Sequence, residues 1–324
     1  MLLQGFFTQR LMRQRQASPH TIGSYRDTFR LLLRFAETRL QKPPSRFEFS
    51  DIDAPLVADF LDDMEKDRKI GARSRNLRLT AIRSFFRYAA LESPEHSAQI
   101  QRVLAIPSKR HTRALISFLN QQEVEALLAA PDQQTWLGRR DHVLLLLTVQ
   151  TGMRLSEMTG LQRCNVALGT GAHIRVMGKG RKERGIPLTK RTVAVLKAWM
   201  QEPAVGTSGV LCPNARGGKL SADGMQYILK KHISSASKGC PSLADKRVTP
   251  HSLRHTMAME LLQAGVEPVM IALWLGHESV ETTQIYLHAN LALKESILSK
   301  TALPGGRPGR YRPDDQLLGF LKSL

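Results

Sequence analysis

Between Thr249 and Tyr286 the sequence reads TPHSLRHTMAMELLQAGVEPVMIALWLGHESVETTQIY, and its punctuation allows little besides three short helices in succession. Thr249 offers a hydroxyl cap, and Pro250 suits the first helical position. This helix should run to about Ala264, with Gly265 closing it. Residues 267–275 read as a second helix, stopped by Gly276, with His277 just past the stop. Ser279 can cap a third helix that carries Tyr286. His251 and Arg254, three apart, share one face of the first turn. A phenol, two imidazoles and a guanidinium therefore hang from helix ends or faces within one small unit, a grouping that suits a single phosphate.

The chemistry explains why these residue types belong together. Attack on a phosphodiester builds charge on the nonbridging oxygens, and preorganised donors stabilise it. Arginine is the strongest such donor, because its planar fork is always charged. A tyrosine nucleophile, with a reference pKa of about 10, needs a proton acceptor or a strongly positive site to react at neutral pH. The leaving 5′ oxygen needs an acid. One Arg and two His do not complete that set, so other parts of the chain must supply more.

The 324 residues suffice for two domains of ordinary size. The formal charge is +19, and the excess is not a tail: residues 1–110 hold 20 Lys and Arg against 12 Asp and Glu, and the rest holds 27 against 16. Basicity spread over both halves points to a nucleic acid gripped by both. Cys164, Cys212 and Cys240 lack metal-like spacing, and a sparse, odd count fits a reduced cytoplasm. The longest purely aliphatic run, 143–147, is too short to span a membrane. The opening MLLQGFFTQRLMRQR places its apolar residues before its charges and does not read as a signal peptide.

The first half reads as a helical module. Ser18-Pro19 opens a helix with Ile22, Tyr25, Phe29, Leu32, Leu33 and Phe35 at helical spacing. Asp53-Ala54-Pro55 opens a second. Ser74 opens a third, with Leu77, Ile82, Phe85, Phe86 and Ala89 expected inward. With the N-terminal segment this makes a bundle of about four helices over residues 1–104. Lys66, Arg68, Lys69, Arg73, Arg75 and Arg78 form a basic cluster that either tracks DNA phosphates or is a solvated face. Residues 100–115 hold Pro107 between basic residues and few large apolar groups, and read as a connector, placed at 105–115.

In residues 116–302, helices are expected at 121–130 and 140–150, the second apolar all round and hence internal. Gly152 breaks it, and Arg154 after the break is a candidate second guanidinium or a surface residue. Residues 173–177 alternate as a strand, Gly178 to Lys182 turns, and 183–188 returns as its partner. Lys179 at the hairpin tip can reach into a groove as a proton donor; the Gly-Lys-Gly pattern lacks nucleotide-loop spacing. Residues 189–200 and 221–235 read as further helices. The fold class is thus mainly α with a small β-hairpin or sheet.

The strings QTGMRLSEM, MGKGRKERGIPL and TPHSLRHTMAMELLQAGVEPVMIALWLGHESVETTQIYLH together resemble the boxes of the tyrosine recombinase (phage integrase) family, most nearly Xer-like recombinases and integrases of bacterial mobile elements. The N-terminal bundle is similar, more loosely, to that family's SAM-like core-binding domain. The resemblance implies that Arg154 and Arg254 hold the scissile phosphate, and that Lys179 protonates the leaving 5′ oxygen. It makes His251 the acid/base for the tyrosine and His277 a donor to a nonbridging oxygen. Tyr286 would form a 3′-phosphotyrosyl link, and Glu157 would support the site. It implies double-stranded DNA at specific recombination sites as partner, a tetrameric synapse with strand exchange through a Holliday junction, possible accessory recombinases or host proteins, and no metal, ATP or other cofactor.

Other assignments are weaker. His251 and His255 sit four apart as zinc ligands do, but the residues between them lack the general-base Glu, and Arg254 would repel a metal. His255 and His288 are read as structural. Tyr311 is a rival nucleophile in a Gly/Pro-flanked setting, and Asp62 and Asp63 read as solvated. A type IB topoisomerase-like strand relaxase uses similar groups without a second duplex, and a catalytically inactive DNA-binding regulator would not need Tyr286. The segment 303–324, a Pro/Gly-rich stretch ending in the amphipathic DDQLLGFLKSL, reads as a tail that passes to a neighbouring protomer or docks on its own domain.

Overall fold

Ser18 Oγ accepts the Thr21 N–H at 3.2 Å and starts the longest helix among the described residues. The computed structural model describes residues 2–111, 116–178, 183–203 and 209–289, the side chains of the last helix through Tyr286. The chain divides into two compact units, Met1–Ala114 and Leu115–Leu324.

In the first unit, α1 (Leu2–Gly5) continues into a wider π-helical turn, Phe6–Gln14. Then follow α2 (Pro19–Leu40), α3 (Ala54–Lys66), α4 (Ala72–Glu92) and α5 (Ser97–Ala105). Asp53 caps α3 through the Leu56 N–H at 2.9 Å. The core joins Phe6, Phe29, Leu32, Phe60, Leu61, Leu79, Ile82 and Phe86. Phe6, Phe29 and Phe85 meet edge to face, with centroids 5.4 to 6.2 Å apart, a favoured ring geometry.

Several expectations change here. Helix α4 starts at Ala72 behind Gly71, not at Ser74, whose N–H already bonds the Gly71 carbonyl. Leu77 is 62% exposed, and Leu79 is buried in its place. The inward stripe is 75, 79, 82, 86, 89, and Leu77 lies across the helix from it. That stripe buries Arg75, whose Nη1 donates to the Pro107 carbonyl at 3.3 Å and whose Nε lies 3.4 Å from Glu65 Oε2. Arg78 donates to Thr28 Oγ1 on α2 at 2.9 Å. Both are thus tied within the bundle, while Lys66, Arg68, Lys69 and Arg73 are exposed. The expected connector is also partly structured. Ile100 and Val103 are buried on α5, and Lys109 bonds Asn76 on α4 and Glu65 on α3.

The second unit holds α6 (Gln121–Ala129), α7 (Trp136–Thr151), α8 (Leu155–Thr159), α9 (Lys190–Gln201), α10 (Ala222–Ala236), α11 (Pro250–Gln263), α12 (Pro268–Leu275) and α13 (Glu281–Ala289). Its antiparallel sheet runs β1 (Val166–Ala167), β2 (His173–Met177), β3 (Glu183–Pro187), with Ile174 opposite Ile186. The two-residue β1 is too short to show alternation and was not expected. Helix α7 is internal as its composition requires: Leu144 and Leu147 pack with Ile174, Val176 and Ile186 of the sheet and Leu196 and Trp199 of α9. The mainly helical fold with a small sheet is therefore as the sequence implies. Among the described residues no helix is long and apolar enough to cross a membrane.

Two polar ties hold α6 and α11 in register. Glu123, itself buried, accepts from Asn120 N, Ser242 Oγ and Lys246 Nζ at 2.8, 2.7 and 2.6 Å, fixing the chain that enters α11. Thr256 Oγ1 accepts the Leu119 N–H at 2.9 Å from within α11.

The burial of Arg75 separates a structural cation from the exposed ones of the basic cluster. Arg75→Ala should lower stability by about 2 kcal/mol, since it strips partners from Glu65 and the Pro107 carbonyl. Arg73→Ala should change stability by less than about 0.5 kcal/mol. Urea unfolding of the two variants checks this.

Candidate active site

The site forms where two helices end. Helix α7 stops at Gly152, whose φ of +59° is left-handed, and an added Cβ would lie 2.6 Å from Leu275 Cδ2. The chain turns there and presents Arg154 as the cap of α8. Helix α12 stops at Gly276, with φ of +65°, where a Cβ would lie 2.9 Å from Arg184 Nη1. Both positions need glycine for conformation and for space.

Each stop leaves carbonyls without helical partners, and the two arginines take them. Arg254 of α11 donates Nη1 to the Gly152 carbonyl at 2.6 Å and Nη2 to the Leu275 carbonyl at 2.7 Å. Arg154 donates Nη2 to the Gly276 carbonyl at 2.7 Å. The carbonyl end of a helix carries partial negative charge, which suits a guanidinium. Arg254 is only 2% exposed. Burial, with repulsion from Arg154, lowers its pKa to about 10, so it stays charged at neutral pH.

Glu157 joins these parts. Its carboxylate accepts the Arg154 N–H at 2.8 Å and Arg154 Nη1 at 3.1 Å. Arg184, on β3, grips the same carboxylate with two parallel bonds, at 3.1 and 2.8 Å, and donates Nε to the Trp274 carbonyl at 3.2 Å. Burial alone would raise the Glu157 pKa; the bonds from Arg184 and Arg154 hold it below the ordinary glutamate value. Sequence reasoning placed Glu157 and missed Arg184. Its alternation with inward Ile186 on β3 was the available signal.

Arg154, Leu155, Gln226, His251, Arg254 and His277 line one cleft of about 440 Å³. The His277 N–H bonds the Ala272 carbonyl at 2.9 Å, and its Nδ1 meets Thr283 Oγ1 at 2.8 Å. Burial and then the charges of Arg254 and Arg154 push its pKa down to about 4. It is neutral at physiological pH. With the Thr283 hydroxyl donating, the ring proton sits on Nε2, ready to donate to an oxyanion.

Tyr286 lies beside this cleft, 1% exposed, with its ring among Ala258, Met259, Leu262, Ile271 and Leu275. Its ring is parallel to His277, with centroids 6.4 Å apart. Its hydroxyl meets His255 Nδ1 at 2.9 Å. Sequence reasoning gave His251 to the tyrosine and left His255 as structural; the hydroxyl instead meets His255. His251 is exposed, with its ring centroid 4.2 Å from that of His255. Burial raises the Tyr286 pKa, and the nearby Arg254 opposes that rise. Of the six expected catalytic groups, Arg154, His251, Arg254, His277 and Tyr286 therefore gather in one place. Lys179 lies outside the described residues, as do Tyr311 and the tail; the side chain of His288 is likewise outside them. Among the described residues no three His, Cys, Asp or Glu side chains group as metal ligands.

Residues 117–292 match the phage integrase family model, and residues 5–93 match the phage integrase N-terminal SAM-like domain. The chain belongs to the phage integrase family. It is a tyrosine-type site-specific DNA recombinase. The recombinase is 67% identical over 323 residues to a Sinorhizobium fredii protein named as an integrase/recombinase, y4rC, covering 100% of this chain and 97% of that one. It is 33% identical over 285 residues to the tyrosine recombinase XerC of Pelotomaculum thermopropionicum, covering 85% of this chain and 89% of that one. Among solved structures, the XerH site-specific recombinase bound to palindromic difH shares the fold, with a TM-score of 0.69 at 24% identity over 88% of this chain and 81% of that one. The Tn1549 transposon integrase with transposon right end DNA does so at a TM-score of 0.68 and 15% identity, over 93% of this chain and 99% of that one.

Arg184 gives a stability test. Arg184→Gln leaves Glu157 buried with half its donors, at a cost of about 3 kcal/mol near pH 7. A carboxylate with a depressed pKa stabilises the fold above its unfolded value, about pH 4.3, and loses that contribution as pH falls through the folded value. The gap between wild type and Arg184→Gln should therefore narrow as pH falls below about 4, measured by urea unfolding across pH.

Proposed function

We propose that this recombinase cleaves one DNA strand per protomer by attack of Tyr286 on a phosphodiester, forming a 3′-phosphotyrosyl link, and rejoins strands through a Holliday junction. The observation that carries this reading is the single cleft onto which Arg154, Arg254 and His277 open beside a tyrosine hydroxyl. The two guanidiniums meet the charge that builds on the nonbridging oxygens, and His277 donates a third bond. Their preorganisation comes from the carbonyl and carboxylate partners that already fix them. The resemblance gives the tyrosine's acid/base role to His251, which lines the cleft; the hydroxyl itself meets His255. Lys179 protonates the leaving 5′ oxygen. The covalent link conserves the energy of the broken bond, so rejoining needs no cofactor.

Double-stranded DNA at a specific site is the substrate. The basic residues Lys66, Arg68, Lys69 and Arg73 contact its backbone, which fixes register more than sequence. Four protomers assemble a synapse, and the tail residues 311–324 couple neighbours within it, with an accessory protein as a further partner. The reaction takes place in the cytoplasm.

A nicked suicide duplex carrying the cognate site should trap a covalent adduct. Tyr286→Phe should bind that DNA as wild type does and form none. Losing Arg154 or Arg254 should cost about 3–4 kcal/mol of transition-state stabilisation, as removal of one oxyanion donor does. A 5′-bridging sulfur leaves without protonation, so it should rescue Lys179→Ala and not Arg254→Ala. An adduct that survives in Tyr286→Phe refutes the assignment. Deleting residues 311–324 should spare suicide-substrate cleavage and melting temperature while weakening full strand exchange.

A further inference from the structure

The Tyr286 hydroxyl is a buried polar group and needs a partner. Its partner, His255, sits at the middle of a short series. Tyr286 Oη is 2.9 Å from His255 Nδ1, and the His255 ring is 4.2 Å, centroid to centroid, from that of His251, which lines the cleft. One helix sets this series. His251 and His255 are one turn apart on α11, so their rings meet edge to face along it, at 61°. Arg254, between them in sequence, turns instead into the helix ends it bridges. The series therefore leads from a phenol that is 1% exposed to an imidazole at solvent.

We propose that His255 is a catalytic residue of this recombinase, holding the Tyr286 hydroxyl in the free protein and accepting its proton as Oη attacks phosphorus. This rests on Tyr286 being the nucleophile. The Tyr286 O–H bond breaks and the proton passes to His255 Nδ1. The Oη–P bond forms, the P–O5′ bond breaks, and the 5′ oxygen takes a proton from the acid assigned to Lys179. Rejoining reverses each transfer, and His255 returns the proton to the phenol.

The electrostatics make this transfer conditional on DNA. The titratable and charged groups around His255 are His251 and Arg254 of its own helix, Tyr286 of α13 and His277 after α12. Burial, with His251 and Arg254, lowers the His255 pKa to about 4, so in the free protein the imidazole is neutral and the phenol keeps its proton. A phosphodiester in the cleft brings a negative charge that offsets Arg254 and Arg154. That raises the proton affinity of His255 when the nucleophile is needed, and leaves Tyr286 inert without DNA.

The test uses the full chain and a nicked duplex carrying the site that wild-type protein selects from a random-sequence DNA pool. His255→Asn places an amide near Nδ1 that can accept a hydrogen bond but take no proton. It should bind this duplex within about twofold of wild type and form adduct about 10²–10³-fold more slowly at pH 7, the usual size of a lost general base. Its rate should climb with pH more steeply than that of wild type, because hydroxide replaces the missing acceptor. Wild-type adduct rates in His255→Asn, or a larger and more alkaline-dependent loss in His251→Asn, overturn the proposal. A second measurement needs no cleavage. In ¹⁵N-histidine spectra of the free protein, Tyr286→Phe should move the His255 Nδ1 resonance, and an unmoved resonance overturns the proposal. Adduct formed by Tyr286→Phe refutes the nucleophile assignment instead, a result separable from either outcome at His255.

Discussion

The active site depends on helix ends that stop where their carbonyls can be used. Gly152 and Gly276 terminate α7 and α12 in the left-handed conformation, and three carbonyls at these stops take Arg154 and Arg254. A free guanidinium is flexible and costly to order. Here the ordering cost is met during folding, so a phosphate arriving at the cleft finds the charges in place. Glu157 and Arg184 extend the same logic from the sheet to α8 and α12. The hairpin strand β3 is thereby coupled to the arginine that faces the cleft.

How far the sequence disclosed this depended on the range of each interaction. The limits of α2, α3, α11 and α12 were legible, because Ser18-Pro19, Asp53, Thr249-Pro250, Gly265 and Gly276 are local signals. His251, Arg254, His277 and Tyr286 stood out by residue chemistry and spacing, and Arg154 only through the resemblance to the family. Most of the failures involve pairings across the fold. Arg75 reads as one more cation in a run until Pro107 and Glu65 are seen to hold it. Leu77 looks internal until the stripe through Arg75 and Leu79 claims the inward face. Arg184 gains meaning only from Glu157, and His255 only from a tyrosine two helices later.

The electrostatic character of the site follows from burying Arg254 against carbonyls instead of a carboxylate. Arg254 keeps its charge although burial and Arg154 lower its pKa, while His277 and His255 give up theirs. Two permanent charges beside two neutral imidazoles is an arrangement matched to a monoanion. Protonated imidazoles would add repulsion in the free protein and bring no donor that neutral rings lack once tautomers are set by Thr283 and Tyr286.

The double employment of Arg254 constrains how such a gene can decay. Its guanidinium satisfies two main-chain carbonyls as well as facing the cleft, so a copy that loses it loses part of its own scaffold. Tyr286 is different: its ring fills an apolar cluster, and phenylalanine keeps that packing while removing one oxygen. A lineage drifting from strand exchange toward mere site occupancy therefore has an open path through residue 286 and a steep one through residue 254. Silenced descendants of this chain that still fold and hold DNA should carry intact arginines around an emptied nucleophile position.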